Sequence, residues 1–268
     1  MLASLLLTCL LVPQDIAKAE EAYRKEEYKA AYDLAKAAAD AEPKRVEPRL
    51  LMGLAAGQLK QHADAVAALT EVLKLAPKTF TALDRRGDAY LKLGKFAESV
   101  TDFDEALKLR PDFAPEHWRR GIALYYLGKH AEGVKQFETH KQANPQDVEN
   151  AAWHYLCNVK VVGKAEAVKQ LIAVTKDPRI PMAEIQKLYA GLLKPDDVLA
   201  AANKLKADTA DGKEARFYAH LYIGLWHEAD GNAAKAKEHL TLAADKFPIS
   251  HYMWDIAKVH AALLNAKK

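Results

Sequence analysis

The chain has 268 residues, half of them hydrophobic, enough to bury a sizeable core and too apolar for a disordered polymer. Its formal net charge of +3, with 28% charged residues, is close to balance, and no run of Lys or Arg builds the dense basic face that phosphate neutralisation needs, which argues against nucleic acid as a partner. Two cysteines, Cys9 and Cys157, give no disulfide framework.

The opening MLASLLLTCLLVP is too short to cross roughly 30 Å of hydrocarbon but fits the apolar region of a secretory signal peptide. Residues 1–14 are therefore read as an export signal cleaved near Gln14, which places the chain in the periplasm or at the cell envelope. Two other readings stay open. A lipidated Cys9 would tie the N-terminus to a membrane, although Thr8 is larger than the residue usual before such a cysteine. The same stretch also reads as the first helical turn of a cytoplasmic protein.

From residue 12 to residue 147 the chain is periodic. Pro43, Pro77, Pro111 and Pro145 lie 34 residues apart, and Arg85, Arg86 and Gly87 return at the same interval as Arg119, Arg120 and Gly121. Between successive prolines sit two apolar-periodic stretches and a short turn; in one of them Phe96, Val100, Phe103, Ala106 and Leu107 share a helical face. Each unit predicts a helical hairpin, broken at its turn by Gly94 or Gly128 and ended by the proline, which lacks an N–H and disfavours helix in the residue before it. The units run 12–45, 46–79, 80–113 and 114–147. Gly53, Gly87 and Gly121 occupy the eighth place and Ala65, Ser99 and Gly133 the twentieth, where small side chains let two antiparallel helices approach; Ala19 takes the glycine place in the first unit.

Beyond Pro145 the period fades. Residues 148–181 read as a degenerate hairpin with Ala167 at its twentieth place, and 182–216 as two shorter connecting helices punctuated by Pro178, Pro181 and Pro195, with Asp196 and Asp197 near the second helix start and a loop at Asp211 and Gly212. The pattern returns over 217–250 with Gly224, Ala236, Ala243 and Pro248. The last stretch, to residue 268, reads as an amphipathic helix that caps the final hairpin or forms a dimer seam.

The places in each unit resemble the tetratricopeptide repeat: a small residue at eight, Tyr90 at eleven, a small residue at twenty, Phe103 or Phe137 at twenty-four, Ala106 at twenty-seven and proline at thirty-two. Arg49 and His140 depart from it, standing where an aromatic residue and an alanine are usual. The resemblance implies an all-α, right-handed α-solenoid of helical hairpins with a C-terminal capping helix, whose concave surface binds extended peptides or partner helices. It places the groove at Leu50 and Leu54 in the second unit, at Asp84, Asp88, Leu91 and Lys92 in the third, and at Trp118, Ile122, Tyr125 and Tyr126 in the fourth. Asp84 and Asp88, four residues apart on one helical face, favour a basic segment. Trp118, Tyr125 and Tyr126 offer rigid aromatic area suited to anchoring an interface; Trp118 reads equally as groove or as packing between repeats, and the adjacent tyrosines are not expected both to face inward. The Lys and Asn with which co-chaperones of this type clamp a carboxylate are missing at places five and nine, against a cytoplasmic co-chaperone.

The order of parts, together with RGIALYY in the fourth unit, is similar to the NlpI-type tetratricopeptide lipoproteins. That likeness implies an exported, often dimeric adaptor that gathers cell-wall hydrolases and a processing protease at the envelope. A structural component that assembles with copies of itself is the alternative. Chemistry is not expected. Cys157 and His154 share a helical face in the manner of an activated thiolate, but they lie in AAWHYLCNV, where an apolar setting makes a thiol inert. His220 and His227 are seven residues apart, about 10.5 Å along a helix at about 1.5 Å per residue, too far to ligate one metal directly. No catalytic residue, metal ligand or cofactor is anticipated.

Overall fold

The computed structural model describes residues 12–266, and every regular element among them is helical. The expected export signal lies outside the described residues except for positions 12–14, which open the first helix. The chain divides into two compact units, one ending at Pro111 and the other beginning at Asp112.

The first unit is a series of helical hairpins: α1 (Val12–Arg24), α2 (Tyr28–Ala41), α3 (Val46–Gln58), α4 (His62–Leu75), α5 (Phe80–Lys92) and α6 (Phe96–Leu109). Each helix packs on the next, and α1 also meets α3 and α3 meets α5. The eighth-place glycines set the closeness of each pair. A Cβ on Gly53 would fall 2.7 Å from Leu69, and one on Gly87 2.8 Å from Phe103, in each case the residue 16 positions on. Ser99 at the twentieth place is buried and donates its hydroxyl to the Gly87 carbonyl at 2.8 Å. Arg86 grips Asp102 through two bonds of 2.7 and 2.8 Å and donates to Thr70 at 3.1 Å, so the recurring arginine ties helices together.

The turns share one backbone conformation that the sequence discloses only in part. Glu26, Lys60, Gly94 and Gly128, each 34 residues from the next, have φ of 62°, 59°, 72° and 79°. Glycine adopts this left-handed geometry freely, whereas a residue with a Cβ is strained there. Lys60→Gly is therefore expected to raise the unfolding free energy by about 1 kcal/mol, seen as a higher urea midpoint; an unchanged or lower midpoint would mean that the lysine side chain supplies more than the strain removes.

The second unit starts with a short 3-10 turn ending at Glu116, followed by α7 (Trp118–Tyr126), α8 (His130–His140), α9 (Val148–Val162), α10 (Lys164–Lys169), α11 (Met182–Tyr189), α12 (Pro195–Ala202), α13 (Ala210–Ala229), α14 (Ala233–Lys246) and α15 (Tyr252–Ala266). The same glycine contacts recur: a Cβ on Gly121 would meet Phe137 at 2.6 Å and one on Gly224 would meet Leu240 at 2.6 Å. Helix α9 is the centre of this unit. It packs on α7, α8, α10, α11 and α13 and is buried from Val148 through Asn158.

Two features differ from the sequence reading. In 148–181 the second helix of the hairpin is only the six residues of α10, and 171–178 have no regular structure. Here buried Ile172 and Val174 alternate with exposed Ala173 and Thr175, the two-residue period of extended chain, and the Gln146 side chain accepts from the backbone N–H groups of Thr175 and Lys176 at 3.0 and 2.9 Å. Asp211 and Gly212 are not a loop but the first turn of α13. Thr209 caps that helix by accepting from Gly212 N–H at 3.1 Å, Asp211 suits the positive end of the helix dipole, and a Cβ on Gly212 would sit 1.9 Å from the Lys206 carbonyl oxygen, so only glycine fits.

Candidate partner-binding site

In the first unit the structure leaves little of the expected groove available. Leu50 and Leu54 on α3 are half-buried, and Leu50 packs against the core of Leu69, Val72 and Ala82. Leu91 is fully buried. Asp84 is 3% exposed and lies 3.5 Å from the Arg85 guanidinium, while Asp88 bonds Lys92 at 3.1 Å. This corrects the expectation that Asp84 and Asp88 await a basic segment and that Leu91 lines a groove: α3, α4 and α6 all pack on α5, and both charges have partners within the chain.

In the second unit Ile122 is buried and Tyr125 is 8% exposed. Tyr125 donates to Glu228 Oε2 at 3.2 Å, the Tyr126 hydroxyl lies 3.0 Å from His260 Nδ1, and His260 Nε2 is 2.9 Å from the same Glu228 oxygen. Both tyrosine rings meet Trp153 edge-on, at 5.4 and 6.0 Å between centroids. The expectation of an exposed ring is corrected to a half-buried one: Tyr125 is buried and Tyr126 half-buried, because α9 sends Trp153 against both rings, and α13 and α15 supply a polar partner for each hydroxyl. Burial raises both phenols above the usual tyrosine range and keeps them as donors. Burial also pushes the Glu228 carboxyl up, but the bond and charge of His260, the Tyr125 hydroxyl and the charge of Lys160 together outweigh this and hold it below the usual range.

Trp118 keeps part of its ring exposed, with its edge against Tyr252 at 4.7 Å and 85°. It forms one wall of a cavity of about 500 Å³, together with Ile122, Trp153, Tyr252 and Met253. Polar residues complete the lining. Arg179, held on the irregular segment that follows α10, bonds Glu149, Asp147 (2.8 Å) and Asp177 (2.6 Å), and Tyr222 donates to the other Glu149 oxygen at 2.7 Å. Burial, acting against the nearby guanidinium, leaves the Glu149 carboxyl above the usual carboxylate range. Two lining residues carry buried polar atoms with no partner: Asn150, whose amide group donates to the Phe137 carbonyl while its Oδ1 accepts nothing, and Trp153, whose Nε1 donates to nothing. Each unmet group costs about 1–3 kcal/mol. Of the ten residues placed in the groove, this site unites Trp118 and Ile122; Asn150, Trp153, Arg179 and Tyr252 escaped the sequence reading because they come from segments outside the clear repeats.

The Cys157 sulfur is in contact with Gly133, and burial pushes its thiol up to about 12, which makes it a poor nucleophile. His154 is buried and neither ring nitrogen has a hydrogen-bond partner. His220 meets His239 of α14, with their Nδ1 atoms 3.0 Å apart, a pairing between helices that spacing along α13 does not reveal. Among the described residues no group of three or more His, Cys, Asp or Glu is arranged to hold a metal ion, and no helix is long and apolar enough to cross a membrane.

A family model described as a tetratricopeptide repeat matches residues 46–79, and a second TPR-repeat model matches 87–128. The chain carries tetratricopeptide repeats. The crystal structure of a tetratricopeptide repeat protein from Parabacteroides merdae is similar at a TM-score of 0.61 and 16% identity, covering 95% of this chain and 98% of that one. The structure of MamA from Desulfovibrio magneticus, from residue 41 to its end, is similar at a TM-score of 0.54 and 21% identity, covering 59% of this chain and 89% of that one. Among curated proteins none matches significantly. At these identities the tetratricopeptide hairpins are what is shared.

Proposed function

We propose that the protein is a non-enzymatic adaptor that holds a segment of a partner protein in the cavity of its second unit. The observation that carries this reading is the cavity itself: about 500 Å³ with Trp118, Trp153 and Tyr252 in its wall and two buried polar atoms left unmet. Rigid aromatic rings around a few convergent polar groups characterise anchoring pockets. The repeats support the same reading, since stacked hairpins serve as partner-binding surfaces. The apolar opening at 1–14 and the RGIALYY stretch support an exported adaptor at the envelope, with cell-wall hydrolases or a processing protease as the partner class.

In-cell crosslinking and pull-down of the full chain, beside a Trp118→Ala, Tyr252→Ala variant shown folded by circular dichroism, tests it. A discrete partner recovered at least tenfold less with the variant is expected, and mass spectrometry of the recovered chain then reads whether residues near Gln14 form the mature N-terminus. Equal recovery from both forms would remove the cavity from function, and an intact Met1 on a cytoplasmic chain would remove export.

A further inference from the structure

We infer that the partner segment held in this cavity carries a lysine or arginine side chain, which lies along the surface that Trp118 and Tyr252 form together, with its head among the carboxylates. The inference rests on the adaptor reading and adds the chemistry of the occupant.

The cavity is rich in negative charge. Glu116, Asp147, Glu149 and Asp177 line it against one guanidinium, that of Arg179. Arg179 is already engaged by three of these carboxylates, so a single positive charge answers several acids, and Glu116 at the exposed end of the 3-10 turn remains in addition. Low-dielectric walls focus such a field and favour a second cation. Hydrogen bonding independently points to a peptide as the occupant, and the charge then selects a basic side chain on it. Asn150, 3% exposed, has an acceptor oxygen without a donor, and Trp153, 2% exposed, has a donor nitrogen without an acceptor. An anion would satisfy only the second and an alkyl chain neither, whereas a peptide with a basic side chain brings both N–H donors and backbone carbonyls. The aromatic wall agrees with this. Lys and Arg lay an apolar stem along aromatic surface while the charged head stays polar, and cations are attracted to ring faces. The chain already shows the pairing nearby, with the Arg179 guanidinium 5.5 Å from the centre of the Tyr218 ring.

The test is selection of heptapeptides from a random phage-displayed library on the full chain, followed by fluorescence anisotropy of dye-labelled winners against wild type, Glu116→Lys and Trp118→Phe. Enrichment of Lys or Arg at one position, at least a tenfold affinity loss with Glu116→Lys, and weakening from 50 to 500 mM salt are expected. Because Glu116 is exposed and Trp118→Phe keeps an aromatic ring, both variants retain the fold. Neutral or acidic winners that depend on Trp118 but are indifferent to Glu116→Lys would overturn the basic-segment inference and leave the adaptor reading standing. Winners that bind wild type, Glu116→Lys and Trp118→Phe equally, or no winners, would overturn both.

Discussion

Arg179→Met is expected to lower the unfolding free energy by about 3–5 kcal/mol, the range for removing one partner from a buried ionic cluster. The guanidinium bonds Asp177 through Nε at 2.9 Å and Nη2 at 2.6 Å, reaches Asp147 at 2.8 Å and contacts Glu149, while the Asp177 and Glu149 side chains are only 2% and 11% exposed. Removing it leaves three carboxylates close together with their mutual repulsion unscreened. The same arginine fastens the irregular 171–178 segment to the start of α9, so its loss also frees a stretch with no ladder of its own. Urea unfolding followed by circular dichroism checks the magnitude. Adding Glu149→Gln to Arg179→Met is expected to restore part of the loss, because the two residues are in direct contact and their effects do not add. A loss under about 1 kcal/mol, typical of exposed ion pairs, would show that water reaches the cluster.

Acid is expected to destabilise the protein as pH falls from about 6.5 toward about 4. Burial, joined by the neighbouring His239, lowers His220 to about 4, and burial likewise lowers His239, His227 and His154. The surrounding charges do not reverse this: Glu238 opposes the shift at His220, and Asp230, Asp196 and Lys235 act on its neighbours with mixed sign. A histidine lowered in the folded chain binds its proton more readily when unfolded. Its contribution is therefore complete above the unfolded pKa of about 6.5 and is lost as pH falls toward the folded value of about 4. For His220 the full loss is on the order of 3 kcal/mol. Equilibrium unfolding at pH 7, 6, 5 and 4 gives the slope, and His220→Asn, which keeps a polar group beside His239 but cannot titrate, is expected to flatten it. An unchanged slope in His220→Asn would assign the acid sensitivity to other groups.

The first four hairpins were legible because their information is local. A proline, a glycine and a large apolar residue at fixed offsets report helix ends and a close helix pair, and Gly53 with Leu69 or Gly121 with Phe137 is a contact that spacing alone foretells. Burial of Asp84 and Leu91 was not legible, since it depends on the helices packed around α5 rather than on the face seen in one helix. Glu26 and Lys60 concealed their turn geometry because nothing in a charged side chain signals a positive φ. The cavity was half-visible. Trp118 stood out as an aromatic that read equally as groove or as packing between repeats, but Arg179 and Tyr252 reach the cavity from segments where the period has lapsed, and a reading based on periodicity has no signal there.

The bonds of Tyr125 and Tyr126 set an order of events in synthesis. Their partners, Glu228 and His260, lie 103 and 134 residues further along the chain, whereas the closely packed helix pairs of the first unit are adjacent or next but one. At about 5–20 residues per second, hairpins of the first unit are complete while the second unit still lacks its closing helices. For roughly five to thirty seconds both tyrosine hydroxyls and Trp153 wait without the surfaces that bury them. A nascent chain interrupted before α15 thus carries finished N-terminal repeats and an open aromatic face, the state in which this protein is most exposed to misassembly and to the chaperones that prevent it.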